Sequence, residues 1–121
     1  MRVLHFEDSS EKYMAIQSVL KSVGINDIVW EESVEAGMKH LEKESFDLII
    51  SDMHFPIHPN GPADWDAGEM VITELQKRNM EIPVIIISSM CLQIPDAYKC
   101  IWCVDSRDWE TELRTCLKSL M

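Results

Sequence analysis

Phe46-Asp47-Leu48-Ile49-Ile50-Ser51-Asp52 is an apolar run that ends in a carboxylate. A run of this length and composition reads as a strand buried on both faces. A second run, Arg2-Val3-Leu4-His5-Phe6, ends the same way, in Glu7-Asp8. If the two strands are parallel neighbours, three acids converge at one edge of the sheet. Isolated carboxylates are costly to desolvate, so such a cluster needs a cation or protons to hold it. An oxygen-ligated divalent metal answers that need most simply. Mg²⁺ takes one or two protein carboxylates and leaves its remaining positions to water and phosphate oxygens. The pattern points to phosphoryl chemistry centred on Asp52.

Strands and helices alternate outward from these runs. Asp8-Ser9-Ser10-Glu11 has capping-box spacing and precedes a helix with Tyr13, Ile16, Leu20 and Val23 on one face, closed by Gly24. Ile28-Val29-Trp30 is a short second strand. Ser33 caps a helix carrying Val34, Met38 and Leu41. A third helix starts near Asp66, again at a capping box, with Val71 and Leu75 turned inward. Ile82 to Ser88 is a wholly apolar fourth strand ending in a hydroxyl, and Ile101 to Val104 is a fifth. Asp108 opens the last helix, striped by Trp109, Leu113, Leu117 and Leu120. This alternation predicts one α/β domain over residues 1–121, a doubly wound three-layer sandwich. Its five-stranded parallel sheet is expected in the order 2-1-3-4-5. Ligands of such sheets bind beyond the carboxyl ends of strands one and three, where Glu7, Asp8 and Asp52 fall.

The totals restrict the partners. Eleven basic against 21 acidic residues leave a net charge of −10, which argues against nucleic acid or an anionic membrane. No apolar stretch reaches membrane-spanning length, and the N-terminal residues lack a signal-peptide pattern. The chain is therefore expected in the cytoplasm. Its four cysteines, Cys91, Cys100, Cys103 and Cys116, read as reduced core thiols. Cys100 and Cys103 have a redox or zinc spacing but would point to opposite faces of a strand. His54 and His58 cannot share a helical turn because Pro56 lies between them, so they read as loop histidines.

The order Glu7-Asp8, Asp52, then Ser88 at the end of the run from Pro83 resembles the receiver domain of bacterial two-component response regulators, over nearly the whole chain. The resemblance implies a flavodoxin-like fold and a phosphoryl group accepted on Asp52 from a histidine kinase. It implies Mg²⁺ held by Glu7, Asp8, Asp52 and the backbone carbonyl of His54, and a Ser88 hydroxyl on the phosphoryl oxygen. Trp102 falls at the family's rotating aromatic switch. The implied partners are a sensor histidine kinase, a phosphotransfer protein or a second copy of the chain, acting as a stand-alone receiver. The chain would be a phosphoacceptor rather than an enzyme.

Three departures stand against this pattern. The family's lysine after the fifth strand has no counterpart in Val104-Asp105-Ser106-Arg107. Asp105 most naturally occupies its position, with Arg107 as a compensating cation if the loop is shifted. The segment from Asp52 to Gly68 is longer than the family's turn. The stretch between Ser88 and Trp102 is short and contains Pro95, so the fourth helix must be shortened or absent. These departures define the rival reading, a pseudo-receiver that binds partners without phosphate.

Overall fold

The computed structural model describes residues 1–121. Its strands are β1 (Arg2–Phe6), β2 (Asp27–Glu31), β3 (Leu48–Ser51), β4 (Phe55–Pro56), β5 (Ala63–Asp64), β6 (Val84–Ser88) and β7 (Lys99–Trp102). Its helices are α1 (Ser10–Ser22), α2 (Val34–Lys43), α3 (Ala67–Lys77) and α4 (Trp109–Leu120). Five strands pair in parallel in the order β2-β1-β3-β6-β7. This is the expected order, once the small antiparallel hairpin β4-β5 is set aside.

Alternation along the strands builds two cores. Val3, Leu48, Ile50, Ile85 and Ile87 point to one face, where α1 and α4 supply Ile16, Leu20, Leu113 and Leu117. Leu4, Phe6, Ile49, Val84 and Ile86 point to the other, covered by α2 and α3 through Met38, Leu41, Val71 and Leu75. Strands β3 and β6 are fully buried, as the period of two requires when both faces are covered. No helix is long and apolar enough to cross a membrane.

Several local expectations need correction. Ser9, not Asp8, caps α1: its Oγ accepts from the Lys12 N–H at 3.3 Å. Asp66 precedes α3 but its side chain makes no cap bond; instead Asp64 Oδ1 accepts from the Asp66 N–H. The fourth sheet strand starts at Val84 rather than Ile82, and the fifth covers Lys99–Trp102 rather than 101–104. There is no helix between β6 and β7. Leu92, Ile94 and Ala97 lie on the core there instead, and the segment is pinned by the Tyr98 N–H donating to the Val84 carbonyl at 2.8 Å. A stretch this short, broken by Pro95, covers the sheet with side chains but cannot wind into a helix.

The extra residues after Asp52 form the β4-β5 hairpin. Phe55 is fully buried beside Phe6, with ring centroids 5.7 Å apart. The Glu35 N–H donates to the Ile57 carbonyl at 2.9 Å, so the insertion is fastened to the start of α2. Its return into α3 passes very close to Asp52. A Cβ at Gly68 would lie 2.7 Å from the Asp52 carbonyl oxygen and 3.0 Å from Met53 Sδ. Backbone cannot yield as a flexible side chain does. Gly68→Ala should therefore cost about 1–3 kcal/mol in urea unfolding, and an unchanged midpoint would contradict this close approach.

Candidate functional site at the carboxyl edge of the sheet

Hydrogen bonding carries β1 and β3 to the same edge. The Asp52 N–H donates to the Phe6 carbonyl at 3.0 Å, and the Glu7 N–H to the Glu31 carbonyl at 3.0 Å. Glu7, Asp8 and Asp52 consequently converge, with one carboxylate oxygen of each within 4.8 Å of the others. Their environments differ. Glu7 is 1% exposed, Asp52 is partly buried and Asp8 is open to solvent.

The backbone of Glu7 is tied to an aromatic stack. Trp30 Nε1 donates to the Glu7 carbonyl at 2.7 Å. The Trp30 ring stacks on Tyr13 at 4.1 Å, and Tyr13 lies 5.2 Å from the ring of His5. One Glu7 oxygen, Oε2, accepts from the Ser9 N–H at 3.3 Å. The other, Oε1, is buried without a hydrogen bond; the ammonium of Lys12, 3.4 Å away, faces it as an ion pair.

Lys12 is the functional residue that the sequence reading missed. It rises from the first turn of α1 to place Nζ 3.0 Å from Asp52 Oδ1 and 2.7 Å from the Ile87 carbonyl oxygen. Two signals marked it. It lies one turn before Ile16, on the stripe that α1 buries, where an apolar residue is expected. It also puts a cation at a helix N-terminus, against the macrodipole. Both are unfavourable unless acids wait at the sheet edge.

The other expected site residues are dispersed. Ser88 is buried at the end of β6, beside Trp102 of β7 in the sheet register, and its Oγ accepts from the Met90 N–H at 3.1 Å. The His54 side chain turns away to stack on Trp65 at 4.1 Å. Trp102 is exposed, with Nε1 donating to the Ser89 carbonyl at 3.0 Å. Asp105 is exposed in the turn after β7 and makes no hydrogen bond or ion pair within the chain. Arg107 does not reach the acids: its guanidinium pairs with Glu112 at 3.2 Å and lies 5.3 Å from the Trp102 ring centre. The fifth strand ends earlier than expected, and that leaves Arg107 beside α4. All four cysteines are free, but Cys91 is exposed in the segment between β6 and β7 and is not a core thiol. Cys100 packs against one core cluster and Cys103 against the other, on opposite faces as the spacing implied.

No protein-family model matches the sequence, and no curated protein matches it either. Solved structures do match the fold. The response regulatory domain of protein mrkE from Klebsiella pneumoniae superposes with a TM-score of 0.77 at 14% identity, covering 99% of this chain and 94% of that one. The signal receiver domain of an HD domain-containing protein from Pseudomonas fluorescens Pf-5 gives 0.75 at 14% identity, over 98% and 92%. The receiver domain of sensor histidine kinase PA1611 from Pseudomonas aeruginosa PAO1, with magnesium coordinated in its active-site cleft, gives 0.70 at 17% identity, over 98% and 96%. The chain has the receiver fold.

Two buried groups set opposing pH responses. Burial, with Asp52 adding to it against the pull of Lys12, pushes Glu7 up from 4.5 to about 7. Between those values the folded chain keeps a proton that the unfolded chain has released, so stability falls as pH rises from about 4.5 to about 7. His5 is fully buried with neither ring nitrogen hydrogen-bonded. Burial, with Lys12 adding to it, pushes it down from 6.5 to about 3. Its contribution runs the other way, being lost as pH falls below about 6.5. His5→Leu should unmask the Glu7 slope, with a melting temperature that rises on acidification from pH 7 to 4.5. Glu7→Gln should show the reverse, falling stability below pH 6.5. Parallel profiles for the two variants would contradict the assignment.

Proposed function

We propose that this chain is a receiver of two-component signalling, in which Asp52 accepts a phosphoryl group from a phosphohistidine on a sensor histidine kinase or phosphotransfer protein. The observation that carries the reading is the meeting of Glu7, Asp8 and Asp52 within 4.8 Å, at the edge where sheets of this topology bind their ligands. The donor set is all oxygen, and the buried Glu7 Oε1 lacks a hydrogen bond. Both suit a hard divalent cation. Glu7, Asp8, Asp52 and the His54 carbonyl are the residues that would hold Mg²⁺. When bound, it would neutralise charge between the carboxylate and the incoming phosphoryl oxygens.

The chain's own groups account for the remaining steps. The Asp52 carboxylate is the nucleophile and forms a mixed anhydride. The Ser88 hydroxyl oxygen accepts from the Met90 N–H, which leaves its proton free to donate to a phosphoryl oxygen. Ser89 follows directly, and its carbonyl carries the Trp102 indole. A shift of the 88–89 segment therefore pulls on an exposed aromatic side chain, and partners can read that movement by contact. With a net charge of −10, those contacts favour proteins with basic surfaces over nucleic acid.

Incubation with a small phosphodonor and Mg²⁺ should add one phosphoryl group by intact mass. Asp52→Asn should abolish the adduct. Asp47→Asn should leave it intact, because Asp47 bonds the Arg2 N–H at the opposite end of the sheet. Failure of the wild type to label with any donor would instead support the phosphate-independent module. Mg²⁺ alone should raise the melting temperature, and Asp8→Asn should diminish the rise. An equal rise in the Asp8→Asn, Asp52→Asn double variant would rule out this metal site.

A further inference from the structure

The two oxygens of Asp52 are not equivalent. Oδ1 accepts from Lys12 Nζ at 3.0 Å and from the Met53 N–H at 2.7 Å, whereas Oδ2 takes no hydrogen bond from the protein. Lys12 is held on both sides of that contact. Its ammonium also donates to the Ile87 carbonyl at 2.7 Å, one residue before Ser88, and faces Glu7 Oε1 at 3.4 Å. The Lys12 side chain is 20% exposed and Asp52 is 15% exposed, so water screens this pair only in part. Beyond β7, Arg107 is turned to Glu112, and Asp105 is an acid rather than a cation.

We propose that Lys12 is a catalytic residue of the phosphoryl reaction: it occupies Oδ1, so that Oδ2 is the attacking atom, and it stabilises the charge that returns to the carboxylate when the adduct breaks down. The inference rests on the phosphoacceptor reading and assigns to α1 the cation that the β7–α4 turn does not bring to the acids. In the forward step an Oδ2 lone pair forms the O–P bond, and the bond from phosphorus to the donor breaks with its electron pair leaving on the donor. Oδ1 becomes the carbonyl oxygen of the anhydride, still facing the ammonium and the Met53 N–H. In hydrolysis a water oxygen bonds to phosphorus and the Oδ2–P bond breaks, its pair returning to the carboxylate. The water protons leave with inorganic phosphate and solvent. Charge grows on Oδ1 as that bond breaks, in front of two donors already in place. Donors fixed where charge develops need no reorganisation during the reaction.

The sign of one effect tests this. The wild type, Lys12→Met and Lys12→Arg are labelled with a small phosphodonor and Mg²⁺, freed of donor, and followed by intact mass. Loss of the ammonium weakens carboxylate departure, so the Lys12→Met adduct should persist roughly ten-fold longer than wild type. Lys12→Arg, which keeps a cation on the same stem, should stay closer to wild type. A merely structural role would loosen the site to water and shorten the lifetime. An equal or shorter lifetime in folded Lys12→Met overturns the inference while leaving the phosphoacceptor reading intact. If Lys12→Met does not fold, Lys12→Gln takes its place with the same two outcomes. A wild type that never labels removes the phosphoacceptor reading and this inference with it.

Discussion

A carboxylate with 1% exposure, close to two others, survives in a folded protein only if positive charge or a proton stays close to it. The carboxyl edge of this sheet is organised around that constraint. Lys12 crosses from α1 to Glu7 and Asp52 and ties both to the Ile87 carbonyl. In doing so it links α1, β1, β3 and β6 through one ammonium. Glu7 also keeps a raised affinity for protons, so the cluster is balanced by a fixed cation and a mobile one. A divalent ion arriving there meets oxygen donors already in place, and an ammonium it must compete with or share.

The sheet order and the layers were legible because the signals behind them are local and redundant. Apolar runs ending in acids, alternating with amphipathic segments, leave few right-handed arrangements. Glu7, Asp8 and Asp52 meet because strand ends in a parallel sheet share an edge, a consequence of topology rather than of side-chain detail. The cap of α1 was misassigned because Asp8 and Ser9 both suit the position; only the structure separates them, leaving Asp8 free at the site. Lys12 was missed for a different reason, although its place on the buried stripe of α1 marked it. A lysine in a first helical turn reads as solvated, and its length and flexibility let it reach an acid whose position depends on the whole fold.

The insertion and the missing helix redistribute the remaining surface. The β4-β5 hairpin is fastened to α2 through Ile57, and His58 pairs with Glu35 at 2.9 Å. It flanks the acid cluster on the side of β2 and α2 instead of lying loose over it. On the far side, loss of the helix between β6 and β7 leaves Met90, Tyr98 and Trp102 exposed. Trp102 is thus an exposed aromatic group bonded to the residue that follows Ser88. Its indole bond to Ser89 and the guanidinium of Arg107 beside its ring hold it in a defined position.

In the proposed reaction the acid cluster receives a phosphoryl group on the free oxygen of Asp52 while Lys12 holds the other. A high-resolution crystal structure of the chain with Mg²⁺ and beryllofluoride, a phosphoryl mimic, tests it most directly. Beryllium should be bonded to Asp52 Oδ2, with Lys12 Nζ and the Met53 N–H still in hydrogen-bond range of Oδ1. Beryllofluoride elsewhere, or attached to Asp52 with Lys12 turned out to solvent, would contradict it.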